Sequence, residues 1–106
     1  MSNLTLLSNP DQLNPILQTS AVVVLYFTTP QCSVCTAVFP QLEALVEKTN
    51  YPLIKIDGSK FPEVAGQYIV FTVPTILVMF EGKEVLRESR FIDFNKIERI
   101  LNLLND

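Results

Sequence analysis

Cys32 and Cys35 are the only cysteines in this 106-residue chain, and Ser33 and Val34 stand between them. Thiols at this spacing support three kinds of chemistry. They can cycle between dithiol and disulfide, supply half of a metal site, or form a fixed cross-link. A fixed bond closing so small a ring returns little loop entropy and is unusual in a reducing compartment. A structural zinc or an iron–sulfur cluster takes four ligands as a rule. With no histidine and no further cysteine, a metal here would have to bridge two copies of the chain. The lack of histidine also removes a Cys–His pair and a Ser–His–Asp triad.

Any of these chemistries needs a scaffold that holds the pair. Apolar residues make up 48 % of the chain and charged ones 18 %, which suits one packed domain over residues 1–106. The longest apolar runs, 21–27 and 75–80, are far shorter than the roughly 20 residues of a membrane span. The first residues, MSNLTLLSNPDQ, carry no basic start and no sustained apolar stretch, so they do not read as a signal peptide. The expected location is cytoplasmic, without membrane association. The formal charge is −3 and the basic residues are scattered from Lys48 to Arg99, so no nucleic-acid footprint is present.

Strands and helices alternate along the chain. AVVVLYF (21–27) is apolar without polar alternation, as a strand buried on both faces should be. YPLIKID (51–57) and TILVMF (75–80) read similarly, and LTLL (4–7) reads as a short first strand. Glu81-Gly82-Lys83 is a turn signal, and 84–90 returns as the second arm of a hairpin. From Cys32 to about Lys48, Cys35, Val38, Leu42 and Leu45 recur at helical spacing, with Phe39 and Val46 alongside; Pro40 inside this run predicts a kink. A short helix is expected from Phe61 to Tyr68, with Pro62 near its start. Asp93 is placed to cap a last helix carrying Phe94, Ile97, Leu101 and Leu104 on one side. Near 9–18 a further helix is expected, with Pro10 and Pro15 competing to mark its start. The order β-α-β-α-β-α-β-β-α requires parallel pairing and then an antiparallel hairpin, so the class is α/β with a central mixed sheet flanked by helices. Tyr26, Phe27 and Tyr68 are expected in the core.

The arrangement resembles the thioredoxin family. A buried strand leads into Cys32-Ser33-Val34-Cys35 at a helix start, and Pro40 follows five residues after the second cysteine. Val73-Pro74-Thr75 matches the family's hydrophobic-Pro-Thr before the fourth strand, and Gly82 falls at its last hairpin turn. The match runs in order and spacing over nearly the whole chain. The resemblance implies the thioredoxin fold, a cis bond before Pro74 beside the cysteines, and a backbone at Val73 that pairs with a bound substrate chain. Gln31, Val34, Pro74 and Thr75 are the other candidate substrate-binding residues.

The implied chemistry is thiol–disulfide exchange with partner proteins, without a cofactor. An ordinary cysteine thiol of pKa about 8.5 is mostly protonated at neutral pH, and a helix N-terminus favours its thiolate. Cys32 is then the attacking thiol, and Cys35, one turn in and more buried, resolves the mixed disulfide. Thioredoxins usually have Trp-Cys-Gly-Pro-Cys; here Gln31 replaces the tryptophan and Ser33-Val34 the Gly-Pro, which predicts a less reducing pair. Ser33 is a weak hydrogen-bond donor to the thiolate, and Val34 adds apolar surface. Tyr26 stands six residues before Cys32, where many family members carry a buried acid. A phenol of pKa about 10 is a poor base, so slower exchange is expected. Arg90 stands where a glycine is common, and Phe71 and Thr72 also depart from the usual loop. These departures suit a specialised member with its own partners, a monomer or weak dimer. They equally suit a non-catalytic interaction module of the same fold.

Overall fold

The computed structural model describes residues 3–105. The ends of the expected domain, 1–2 and 106, lie outside the described residues. Strand β1 (Leu4–Leu6) is followed by a 3-10 turn (Pro10–Gln12) that runs into helix α1 (Leu13–Thr19). Then come β2 (Val22–Thr28), α2 (Ser33–Glu47), β3 (Leu53–Asp57), α3 (Pro62–Gln67), β4 (Thr75–Phe80), β5 (Lys83–Ser89) and α4 (Phe94–Leu104). The order matches the expected alternation.

The five strands form one mixed sheet in the order β1-β3-β2-β4-β5. β3 pairs in parallel with both β1 and β2, while β4 runs antiparallel to β2 and β5. β2 is central, and all seven of its residues are buried. Its side chains alternate between two cores, as strand geometry requires. Val23, Leu25 and Phe27 join the cluster that includes Leu13 of α1 and Val64 of α3. Val22, Val24 and Tyr26 join the other, with Cys35, Val38, Leu42 and Val46 of α2 and Ile97 and Leu101 of α4. Of the apolar face expected on α2, Leu45 and Phe39 are only half-buried against this cluster. Tyr68 is also half-buried, its ring 6.2 Å from that of Phe27.

Local chemistry fixes the element ends. Asn9 makes a capping box with Gln12, so the helical segment opens at Pro10. Pro15 is the third residue of α1, more than a turn into the helical segment that opens at Pro10. Pro40 lies inside α2 and is exposed, so its missing N–H is on the solvent side of a helix that continues to Glu47. Asp93 Oδ1 accepts the Lys96 N–H at 3.1 Å and caps α4. Glu81 and Gly82 both have positive φ, the geometry of a two-residue hairpin turn between Phe80 and Lys83.

Candidate active site

The chain leaves β2 at its carboxyl end through Thr29, Pro30 and Gln31, and Cys32 N–H donates to Thr29 O at 3.3 Å. Cys32 is the N-cap of α2 with extended backbone, φ −94° and ψ 103°. Its sulfur takes the place of the usual capping oxygen: Cys35 N–H donates to Cys32 Sγ at 3.1 Å. Cys32 and Cys35 are disulfide-bonded, with their Cα atoms 5.2 Å apart. The two sulfurs differ in surroundings. Cys32 is half-buried, whereas Cys35 is 2 % exposed and belongs to the core under α2. Once reduced, Cys32 Sγ has a backbone donor and the positive end of a 15-residue helix, both of which favour its thiolate. Gln31, Ser33 and Val34 are exposed around it.

The loop before β4 supplies the second part of the site. The Val73–Pro74 bond is cis, as the resemblance implied. Val73 is half-buried and packs on the cluster that contains Cys35 and on which Cys32 also rests. Thr75, buried as the first residue of β4, donates its hydroxyl to Thr72 O at 2.7 Å and lies 3.2 Å from Ser89 Oγ. Arg90 N–H donates to Pro74 O at 3.1 Å. Arg90 has φ of 64°, the left-handed conformation that glycine adopts most freely. An arginine there offered no turn signal, and only its departure from the family pattern marked the position. The structure thus brings Val73 onto the cysteine cluster, while Gln31 and Val34 face solvent on the cysteine side.

Behind Cys35 the site closes differently. Tyr26, 1 % exposed, donates its hydroxyl to Cys35 O at 2.7 Å. Burial holds this phenol above its ordinary pKa, opposed by a weaker contact with the Thr28 hydroxyl. The Phe39 ring lies 5.3 Å from the Tyr26 ring, and Lys55 Nζ sits 4.5 Å from the Phe39 centroid. An open cavity of about 580 Å³ reaches this layer, its lining including Tyr26, Thr28, Cys35, Phe39, Lys55 and Asp57. Asp57 Oδ1 accepts from Ser59 N–H at 2.9 Å, Ser59 Oγ at 2.6 Å and Lys60 N–H at 3.2 Å. The Ser59 hydroxyl bond leads the effects that hold this carboxyl below its ordinary range. The sequence marked Tyr26 as a poor base but gave no sign of its bond to Cys35. That bond depends on how α2 packs across β2, which no residue pattern shows.

The thioredoxin family model matches residues 5–105. The chain belongs to the thioredoxin family. It is 42 % identical over 78 residues to the thioredoxin-like protein YdfQ of Bacillus subtilis (strain 168), covering 73 % of this chain and 70 % of that protein. It is 36 % identical over 86 residues to the thioredoxin of the same bacterium, covering 79 % of this chain and 80 % of that one. A solved mutant thioredoxin from Halobacterium salinarum NRC-1 superposes with a TM-score of 0.87 at 22 % identity, over 97 % of this chain and 91 % of the other. That last likeness concerns the thioredoxin fold.

This thioredoxin-family chain is a dithiol/disulfide oxidoreductase with Cys32 and Cys35 as its redox pair. Membership implies protein thiol partners. Among the described residues no helix is long and apolar enough to cross a membrane. No group of three His, Cys, Asp or Glu side chains among them is placed to hold a metal.

Proposed function

We propose that Cys32 attacks disulfides of partner proteins and that Cys35 resolves the mixed disulfide. The observation that carries this reading is the asymmetry of the pair. Cys32 sits at the helix start with a backbone N–H on its sulfur, while Cys35 lies 2 % exposed behind it. In the forward step the Cys32 thiolate bonds to one partner sulfur and the other leaves as a thiolate, which takes up a proton. Cys35, having lost its proton, then bonds to Cys32 Sγ and releases the second partner thiol. The protein dithiol is oxidised by two electrons and the partner disulfide is reduced by two. The same steps run in reverse when the partner is the dithiol.

The partner chain lies against Val73, Pro74 and Thr75, with Gln31 and Val34 flanking the point of attack. The surface there is apolar. Val34 is 52 % exposed, Phe71 85 % and Phe91 93 %, and Phe91 follows directly on Arg90, whose N–H meets Pro74. An extended, apolar partner segment suits it. Together with Gln31, Ser33-Val34 and Tyr26, this surface supports an atypical thioredoxin with its own partners. The protein acts as one domain over residues 1–106, in the cytoplasm, as a monomer or weak dimer. It needs no cofactor and engages neither nucleic acid nor membrane.

The test is a Cys35→Ser variant incubated with cell lysate. Mixed disulfides through Cys32 should accumulate and disappear on reduction. No trapped partner, together with alkylation of Cys32 no faster than a model thiol at neutral pH, overturns the assignment. Equilibration of the wild-type pair in a glutathione redox buffer then fixes the direction of electron flow.

A further inference from the structure

A partner chain lying along Val73, Pro74 and Thr75, the reading proposed above on which this inference rests, needs the loop between α3 and β4 held in shape. The far end of that loop is tied to the sheet. Thr75 Oγ1 donates to Thr72 O at 2.7 Å, and Arg90 N–H donates to Pro74 O at 3.1 Å. The near end starts from a strained backbone. α3 closes with Ile69 N–H donating to Gly66 O at 3.1 Å and Val70 N–H donating to Ala65 O at 2.8 Å, the paired bonds of a Schellman helix end. That motif sets one residue in the left-handed conformation, and glycine usually fills it. In this chain the residue is Ile69, with φ of 56°, where a β-branched side chain is strained. Such a backbone persists only where its surroundings hold it.

The hold comes from β5. Arg87 Nη2 donates to Tyr68 O at 2.6 Å, and Arg87 Nη1 donates to Ile69 O at 2.9 Å. Both carbonyls lie past Gln67, the last residue of α3, where the helix itself offers them no donor. The guanidinium is fixed in turn by Glu84. Arg87 Nε donates to Glu84 Oε2 at 3.0 Å, and Nη2 donates to Glu84 Oε1 at 2.8 Å. One planar fork of donors thus serves four acceptors at once, which a lysine ammonium with three donors cannot do.

This pair depends on an irregularity in the strand. Residues three apart on a regular strand point to opposite faces. Here Arg87 stands opposite Leu77 and Glu84 opposite Met79, and the register passes over Val85 between them. The extra residue is a bulge that turns Glu84 onto the face of Arg87. That face carries the cluster shared by Leu77, Met79 and Val64 of α3.

We infer that Arg87, set by Glu84, is a positioning residue for partner recognition: it fixes the end of α3 at Tyr68 and Ile69 and so holds the 70–73 backbone in place for an incoming chain. Arg87 bonds to neither sulfur, so the reactivity of Cys32 toward a small disulfide does not depend on it. Without the clamp the loop must order itself as the partner binds, and that ordering weakens binding rather than slowing the exchange of sulfurs.

The experiment mixes the reduced protein with excess insulin as the protein disulfide and follows oxidation of Cys32 and Cys35 by alkylating the remaining thiols. Half-saturating insulin concentration and maximal rate are read separately. The same proteins react with dithiobis(nitrobenzoate), a small disulfide that makes no use of the loop. Arg87→Gln should raise the half-saturating concentration about three- to ten-fold, with the maximal rate and the small-disulfide rate changed less than about two-fold. Glu84→Gln, which loosens the fork without removing it, should shift the same quantity in the same direction by less. In an Ile69→Gly background, where the left-handed conformation is free of strain, adding Arg87→Gln should change half-saturation by less than about two-fold. Glycine restores no charge, so this loss of effect separates the clamp from a long-range attraction between Arg87 and insulin. An unchanged half-saturation in Arg87→Gln overturns the inference. So does an equal effect in the glycine background, or a matching loss of rate with the small disulfide. A second measurement needs no thiol chemistry: amide hydrogen exchange at Ile69 and Val70 of the oxidised protein should quicken about three-fold or more in Arg87→Gln, and unchanged protection there overturns the inference. Failure of partner trapping by Cys35→Ser would count against the exchange assignment alone.

Discussion

The two ends of the Cys32–Cys35 bond sit in opposite environments. On the front, Cys32 caps a helix beside exposed Val34 and the Val73–Pro74 loop, with Phe71 and Phe91 standing out into solvent. At the back, Cys35 is roofed by a buried tyrosine, a half-buried phenylalanine and a lysine, all within one packed layer. The front departs from the usual thioredoxin pattern in what it shows to a partner. The back departs in how it handles charge: a neutral phenol bonded to a backbone carbonyl occupies the position of an acid. One redox pair thus has two sides of different chemistry. Substitutions at the back should be felt in folding, and substitutions at the front in partner binding.

The largest effect should come from emptying the back. Tyr26 is 1 % exposed in the central strand and touches the Phe39 ring. Tyr26→Ala removes its ring and leaves a cavity beneath α2, which should cost about 3–5 kcal/mol. Chemical denaturation of the oxidised protein measures this directly. A loss below about 1 kcal/mol would mean that α2 collapses onto the sheet and that the roof is not rigid.

Tyr26→Phe keeps the ring and deletes only the hydroxyl bond to Cys35 O. A cost of about 1 kcal/mol at neutral pH is expected. The pH dependence carries more information. Burial raises the folded pKa of Tyr26 above its ordinary 10.0, so the fold favours the neutral phenol. The tyrosine's contribution is complete below 10.0 and is lost as pH rises through the higher folded value. Wild-type stability should therefore fall on the alkaline side of pH 10, and Tyr26→Phe should fall less steeply. Equal alkaline slopes would show that the phenol is free to ionise and that the back is wetter than its geometry states.

Much of this division was legible in the sequence. The unbroken apolar run at 21–27 marked a strand buried on both faces, and the Cys32–Cys35 spacing with Val73-Pro74-Thr75 marked the front. The back was not legible, because it depends on register. Pattern alone gives the period of a strand, but the offset between parallel β2 and β3 is set by the crossover and by packing. Only that offset places Lys55 beside Tyr26. Phe39 was visible as part of an apolar face, though not as the ring that Lys55 covers. The left-handed backbone at Arg90 escaped for a different reason: arginine carries no conformational signal of its own, and the fixed contact there is its N–H bond to Pro74 O. The start of the first helical segment was ambiguous between two prolines until the Asn9–Gln12 capping box set it at Pro10, ahead of α1.

The smallest effect on stability, and the sharpest test of the front, is expected at Phe71 and Phe91. Their exposures of 85 % and 93 % leave little area for the fold to gain from them. Phe71→Ser and Phe91→Ser should each change stability by less than about 0.5 kcal/mol. Two exposed aromatic rings beside the loop that meets Arg90 N–H offer apolar area that a bound partner chain would cover. For a protein disulfide substrate, KM should rise several-fold in each variant. Because the serines touch neither sulfur, kcat should fall far less than KM rises. A matched fall in kcat with KM unchanged would instead place these rings in the reacting geometry of the pair, and the separation between the two sides of the bond would not hold.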